Sequence, residues 1–169
     1  MLTTKRQLLS LTAADLMSAD VTAISQHMSL RAAAHILAQS DISGAPVVDD
    51  QGRCIGVLSA HDFVTWAERD GRATRVDQAH LDKQFHSAWQ VMDMEALPAV
   101  EVSQYMTPDP VTVSPGTQVG VLASRMRDAH IHRVIVVDAE GRPVGIVSST
   151  DVLAAVAQDA QGSKVGTDC

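Results

Sequence analysis

The sequence predicts a mixed α/β (α+β) protein built from two similar β-α-β-β-α units. Three observations carry that prediction. The chain repeats itself without gaps at an offset of 89 residues, Met17 aligning with Met106. Each copy holds an amphipathic helical stretch followed by two short apolar runs separated by turn residues. Aromatic residues make up only 3 % of a chain that is 46 % hydrophobic, so the core must be built from Val, Ile, Leu, Ala and Met, which suits tight packing of helices on sheets.

The repeat is read residue by residue. Met17-Ser18-Ala19-Asp20 faces Met106-Thr107-Pro108-Asp109, and Val47-Val48-Asp49 faces Val136-Val137-Asp138. Gly52-Arg53 faces Gly141-Arg142, Gly56 faces Gly145, Ser59 faces Ser148, and Asp62 faces Asp151. Agreement in register over so long a stretch marks a duplicated supersecondary unit.

An extended segment opens each copy, Val21 to Ser25 and Val111 to Ser114, where Pro108 and Pro110 exclude helix. Leu30, Ala33, Ala34 and Leu37, and again Val119, Leu122, Ala123 and Met126, recur at i, i+3, i+4, i+7 and predict helices with one apolar stripe. Thr117 is the expected N-cap of the second. Ala45-Pro46-Val47-Val48 and Val134-Ile135-Val136-Val137 read as buried strands. Asp49-Asp50-Gln51-Gly52 and Asp138-Ala139-Glu140-Gly141 supply turns. Ile55 to Ser59 and Val144 to Ser148 return as the second arm of a hairpin. A closing helix follows, with Phe63, Val64 and Ala67 in one copy and Val152, Leu153 and Val156 in the other.

The expected organisation is an N-terminal arm (1–11), a first repeat (12–67), an inter-repeat linker with a helix (68–101), a second repeat (102–157) and a polar tail (158–169). One unit of this size is marginal alone, so the two are expected to share a core across their sheet faces. Within the linker, Leu81, Phe85, Ala88, Trp89 and Met92 form one face of a helix predicted from His80 to Met94. That stripe either covers the protein's own core or forms a dimer face.

Composition narrows the function. The net charge is −7 and no Lys/Arg block stands out, so nucleic-acid phosphate is repelled overall. Few aromatics argue against stacking platforms for single strands. A small anion still fits where helix N-termini or basic groups gather locally. The two cysteines, Cys54 and Cys169, form no disulfide framework or paired metal motif, and Cys54 reads as a small packed residue. No leader or membrane-spanning run is seen, so a cytoplasmic protein is expected. His130 and His132 alternate, but without acids or Cys at ligand spacing, so no metal site is expected. No nucleophile is recognisably paired with a base, and no catalytic residue is assigned.

The ordered motifs, Met-Thr-Pro-Asp-Pro-Val-Thr-Val at 106–113, Val-Val-Asp-x-x-Gly-Arg-x-x-Gly at 47–56 and 136–145, and the two Gly-x-x-Ser-x-x-Asp ends, resemble a tandem cystathionine-β-synthase (CBS) domain pair, also called a Bateman module. The resemblance spans both copies. It implies two CBS units related by a pseudo-two-fold axis, with clefts that hold adenine nucleotides or adenosyl compounds of the AMP, ADP, ATP, NAD or S-adenosylmethionine class. AMP or ATP is the expected regulatory ligand. It further implies a homodimer that signals to a separate regulated protein and catalyses nothing.

Ser-x-x-Asp itself has two readings. As a capping box, Ser59 and Ser148 accept backbone N–H bonds while Asp62 and Asp151 reach back. As a binding site, the carboxylate takes the two hydroxyls of a ribose and the helix N-terminus receives phosphate. The two uses are expected to compete for the Asp. The small Gly56 and Gly145 fit a place of close approach. By the resemblance, Asp62 and Asp151 hold ribose, with Ser59, His61, Ser148 and Thr150 near phosphate. Thr22, Ile24, Ser43, Gly44, Ala45, Thr112, Val113, His132, Arg133 and Val134 complete the two sites. His132 and Arg133 are expected to reach phosphate held at Asp62, while Asp151 meets only the uncharged Ser43 and Gly44. The Asp62 site should therefore favour phosphates, and the Asp151 site a less charged adenosyl ligand. The alternatives are a ligand-free dimeric interaction module and, third, a small enzyme with an unrecognised site.

Overall fold

The computed structural model describes residues 8–69 and 94–162. Residues 22–110 belong to one compact unit, here the first unit, and those up to Val21 with those from Val111 belong to the second. The predicted linker helix, with its stripe from Leu81 to Met92, lies outside the described residues.

The first unit runs β1 (Ile24–Ser25), α2 (Leu30–Gln39), β2 (Gly44–Val48), β3 (Cys54–Ser59), α3 (Ala60–Arg69), short 3-10 turns at Met94–Ala96 and Val102–Gln104, and β4 (Thr107–Pro108). The second unit carries the short helix α1 (Ala13–Leu16), then β5 (Thr112–Val113), α4 (Val119–Asp128), β6 (Arg133–Val137), β7 (Pro143–Ser148) and α5 (Ser149–Gly162). The repeated elements are those predicted: a parallel pair, β1 with β2 or β5 with β6, followed by an antiparallel hairpin.

The leading segments cross over. In the first unit β4, from the chain that leads into the second repeat, adds a fourth strand beside β3, pairing Gly56 with Pro108 and Val57 with Thr107. In the second, Ser18 takes the matching place through an antiparallel bridge to Ile146. The same segments supply a backbone acceptor to the orphan first amides of α2 and α4, as the N–H of Leu30 donates to Val100 O at 2.8 Å and that of Val119 to Leu11 O at 2.9 Å. Helix α4 therefore begins one residue later than expected. Gln118 is its N-cap without a side-chain bond, and the Thr117 hydroxyl instead meets Ser114 at 3.2 Å. Ser29 caps α2 by accepting the N–H of Ala32 at 3.2 Å.

The α2 stripe is buried as predicted, with Leu30, Ala33, Ala34 and Leu37 packed with Phe63, Trp66, Leu97 and Val102. Leu97 and Val102 tie the crossing segment to this core, each worth roughly 1.5–3 kcal/mol of apolar burial before ordering costs. The second core gathers Ala13, Leu122, Met126, Val134, Val136 and Val147. Two expectations fail there: Ala123 is exposed, and α5 turns Leu153 and Val156 outward at 67 % and 45 % exposure, burying Ala155 instead. Helix α5 lies against α4, β7 and the short α1, and the side facing them carries Ala155 with the half-buried Val152, leaving Leu153 and Val156 outside.

Helices α2 and α4 each close with a left-handed residue. Asp41 (φ 54°) and His130 (φ 52°) stand after the last helical turns. The N–H of Ile42 reaches Leu37 O at 3.0 Å and that of Ile131 reaches Met126 O at 2.9 Å, the six-to-one bond of a Schellman close. The next residues are thereby aimed into β2 and β6. The hairpin turns are likewise duplicated: Asp49 accepts the N–H groups of Gln51 and Arg53 at 2.9 Å, and Asp138 those of Glu140 and Arg142 at 3.0 and 2.9 Å. Gly52 and Gly141, at φ 78° and 82°, complete the turns where a side chain would be strained.

Candidate functional site

Each Ser-x-x-Asp stands where a strand runs into a helix without a loop, β3 into α3 and β7 into α5. The junction is held by the strand beside it: the N–H of Ala60 donates to Ser43 O and that of Ser149 to His132 O, each at 2.8 Å. From the first turn the carboxylate reaches back. Asp62 Oδ2 accepts the N–H of Ser59 at 2.7 Å and its hydroxyl at 3.0 Å. Asp151 Oδ2 accepts the same two groups of Ser148, both at 2.7 Å, and its own N–H donates to Ser148 Oγ at 3.2 Å. The reciprocal capping box is complete at Ser148 and Asp151, whereas at Ser59 and Asp62 only the half in which the carboxylate accepts is formed among the described residues.

The serine engages only one of the two oxygens of each carboxylate. A carboxylate offers about four lone-pair positions on its two oxygens. The cap occupies Oδ2 and leaves the acceptor capacity of Oδ1. The copies differ in what reaches that oxygen. In the first unit the hydroxyl of Thr107 donates to Asp62 Oδ1 at 3.2 Å. Among the described residues no hydroxyl takes that place at Asp151. Sequence spacing did not show Thr107 meeting Asp62, because only the crossing of β4 brings them together.

The predicted residues gather within each unit at one end of its sheet. Gly44 stands opposite Ser59, and Arg133 opposite Ser148. Strand β1 runs parallel to β2 with Ile24 beside Val47, so Thr22 falls toward the Gly44 end; Thr112 stands likewise beside Ile135. His61, Thr150, His132 and Arg133 are exposed, while Thr22, Ser43, Gly44, Thr112 and both Ser-Asp pairs are half-buried. The side chains of Ile24, Ala45, Val113 and Val134 are buried in the cores, so these positions offer a ligand their backbone only. A residue the motifs did not single out, Arg125, donates to the carbonyl of Thr112 at 2.7 Å and so holds that segment.

The close approach at the paired glycines is made by methionine. A Cβ on Gly56 would lie 2.5 Å from Met106 Sδ and 2.9 Å from the backbone oxygen of Thr107, and one on Gly145 would run into Met17. The glycines of Gly-x-x-Ser-x-x-Asp therefore seat the crossing segments. Cys54 is half-buried, donates to Gly56 O at 3.6 Å, and its thiol is pushed up by burial. Among the described residues no group of three His, Cys, Asp or Glu is placed to hold a metal ion, and no helix is long and apolar enough to cross a membrane.

Comparison with known proteins agrees with this architecture. The family model described as "CBS domain" matches twice, at residues 13–69 and 102–158. The CBS domain-containing protein CBSX2 (chloroplastic) of Arabidopsis thaliana is 28 % identical over 131 residues, 75 % of this chain and 54 % of CBSX2. The chain spans about half or less of the length of the first curated relatives it matches. Among solved structures, the CBS domain of a CBS domain-containing membrane protein from Sphaerobacter thermophilus superposes with a TM-score of 0.67 at 27 % identity, covering 90 % of this chain and 91 % of that one. CBSX2 in complex with AMP superposes at 0.64 with 24 % identity, covering 87 % and 96 %. The CBS domain pair of protein MJ0100, in complex with 5′-methylthioadenosine and S-adenosyl-L-methionine, superposes at 0.63 with 23 % identity, covering 86 % and 99 %. With two matched copies over most of its length and a duplicated β-α-β-β-α fold ending in Ser-x-x-Asp, the chain belongs to the CBS domain family as a tandem CBS pair.

Proposed function

We propose that the protein is a regulatory module that binds an adenosine-containing ligand, AMP or ATP in the first instance, and reports its presence to a separate protein without catalysing a reaction. One observation carries this reading. At the same sheet end of both units, a half-buried carboxylate at a helix N-terminus is held by its serine through Oδ2, which leaves acceptor capacity on Oδ1. A cis-diol supplies two donors to such an oxygen pair, and the helix start favours phosphate. The AMP bound by CBSX2 and the adenosyl compounds bound by the MJ0100 pair support the ligand class. Asp62 and Asp151 hold ribose in this reading. Ser59, His61, Ser148 and Thr150 stand near phosphate, and the exposed His132 and Arg133 supply positive charge. Thr22, Ile24, Ser43, Gly44, Ala45, Thr112, Val113 and Val134 border the base.

Titration calorimetry of the full chain with AMP, ATP, adenosine, NAD and S-adenosylmethionine tests this. At least one is expected to bind, and Asp62→Asn with Asp151→Asn together to abolish it. Arg133→Ala should weaken AMP about tenfold or more, as loss of a charge-assisted bond, and adenosine little. Absence of binding by all five would sink the proposal.

A second property has its own observation. Leu9, Val121, Leu153 and Val156, all in the second unit, are 60 %, 44 %, 67 % and 45 % exposed. We propose that the outer side of α5, where Leu153 and Val156 stand one turn apart, pairs two copies of the chain, two-fold dimers being the commonest soluble assembly. Sedimentation should give a dimer for the native chain and a monomer for Leu153→Glu. A dimer unaffected by Leu153→Glu would place the interface elsewhere.

A further inference from the structure

We infer that Thr107 governs ligand occupancy of the first unit by competing for the carboxylate oxygen a ribose requires. This rests on the reading that Asp62 takes ribose. The Thr107 hydroxyl donates to Asp62 Oδ1 at 3.2 Å, while Oδ2 already accepts two bonds from Ser59. A cis-diol that presents two donors to Asp62 therefore meets an oxygen already in use and must displace the threonine.

The second unit supplies the internal comparison. Ser18 holds the backbone place matching Thr107, exchanging hydrogen bonds of 2.9 and 3.0 Å with Ile146, yet its hydroxyl does not reach Asp151 among the described residues. A β-branched threonine is restricted in χ1 where a serine is not, which favours one fixed aim for its hydroxyl. Asp151 thus offers Oδ1 free of that competitor, so the two units differ in the carboxylate as well as at the Ser43-Gly44 and His132-Arg133 positions.

Displacement has a structural consequence. Thr107 is half of β4, the last element of the first unit before Asp109 and Pro110, and its neighbour Met106 lies over Gly56. Releasing the side-chain bond removes one of the few ties of this two-residue strand. Occupancy of Asp62 is thereby coupled to the stability of β4, and the signal appears in the segment that leads out of the unit.

The test uses the full chain carrying Asp151→Asn, so that only the first unit grips a diol, with AMP as the probe. Calorimetry is run on this background alone and with Thr107→Val, Thr107→Ser or Asp62→Asn added. Thr107→Val keeps the shape and removes the donor. It is expected to bind AMP about two- to tenfold tighter than the background, the worth of one net hydrogen bond. Thr107→Ser should fall between. Hydrogen exchange at residues 102–107 should speed up on AMP addition in the background and not in Thr107→Val. Unchanged or weaker AMP binding by Thr107→Val, with Asp62→Asn still abolishing binding, overturns the competition while leaving the ribose role of Asp62 intact. AMP binding that survives Asp62→Asn overturns the underlying reading, and the inference with it.

Discussion

Substituting Gly56 by alanine should loosen β4 from the first unit. A Cβ built on Gly56 lies 2.5 Å from Met106 Sδ, 3.1 Å from Met106 Cγ and 2.9 Å from Thr107 O. Unstrained carbon contacts lie near 3.5–4.0 Å, so all three neighbours must give way. The methionine has rotamers to use. The Thr107 carbonyl belongs to the ladder that pairs Gly56 with Pro108 and Val57 with Thr107, and moves only by straining that pairing. Overpacking of this kind costs about 1–3 kcal/mol, a large part of the roughly 5–15 kcal/mol that holds a domain folded. At about 2–4 °C per kcal/mol for a chain of this size, the melting temperature should fall by roughly 2–12 °C. Circular dichroism melts and urea midpoints read this directly. Adding Met106→Ala should recover only part of the loss, because the carbonyl remains. In Gly145→Ala the three closest atoms are all Met17 side chain, so Met17→Ala should recover more. Gly120, in the first turn of α4, has nothing within 4 Å of its would-be Cβ, so Gly120→Ala should stabilise by up to about 1 kcal/mol. A Gly56→Ala protein that melts with the native one, or shifts in the same direction as Gly120→Ala, would refute the close-approach argument.

Three further outcomes are expected. Asp41→Gly and His130→Gly should each stabilise by about 1 kcal/mol in urea titrations, since both positions have φ above 50° and glycine relieves the left-handed strain without losing the backbone bonds. Asp49 and Asp138 are held below the ordinary carboxylate value of 3.8, first by the N–H of Arg53 and of Arg142. Their stabilisation is complete above that value and lost as pH falls through the lower folded one, so Asp49→Asn with Asp138→Asn should flatten the acid end of the stability curve. His27 is raised above 6.5, first by its hydrogen bond with Glu101 and then by the charges of Asp50 and Glu101. Its contribution is full below 6.5 and fades as pH rises through the higher folded value, so His27→Gln should remove a loss of stability that sets in as pH rises above 6.5.

Legibility in the sequence followed the range of the interactions. The α2 stripe was readable because a helix places residues three and four apart on one face whatever lies opposite. The same rule misplaced Ala123, Leu153 and Val156, whose burial depends on what packs against α4 and α5 and not on spacing. At the site, Ser59 and Asp62 were readable as a pair because the bond closes over three residues. That the carboxylate caps through one oxygen and keeps the other was not, since it depends on atomic aim. Thr117 looked like a cap for want of knowing that Leu11 O already satisfies the N–H of Val119.

The duplication at an offset of 89 residues was enough to establish two like units, their element order, their turn chemistry and both Ser-x-x-Asp junctions, because each of these closes over a few consecutive residues. Folding in three dimensions settled which chain segment completes which sheet. Residues near Met17 join the second unit and those near Met106 the first, seating methionine over glycine and carrying Thr107 to Asp62. Backbone N–H and C=O groups are alike at every residue, so a strand edge accepts any segment that arrives with the right register. Only packing against the finished core chooses among them, and that choice gives the two otherwise similar carboxylates different neighbours.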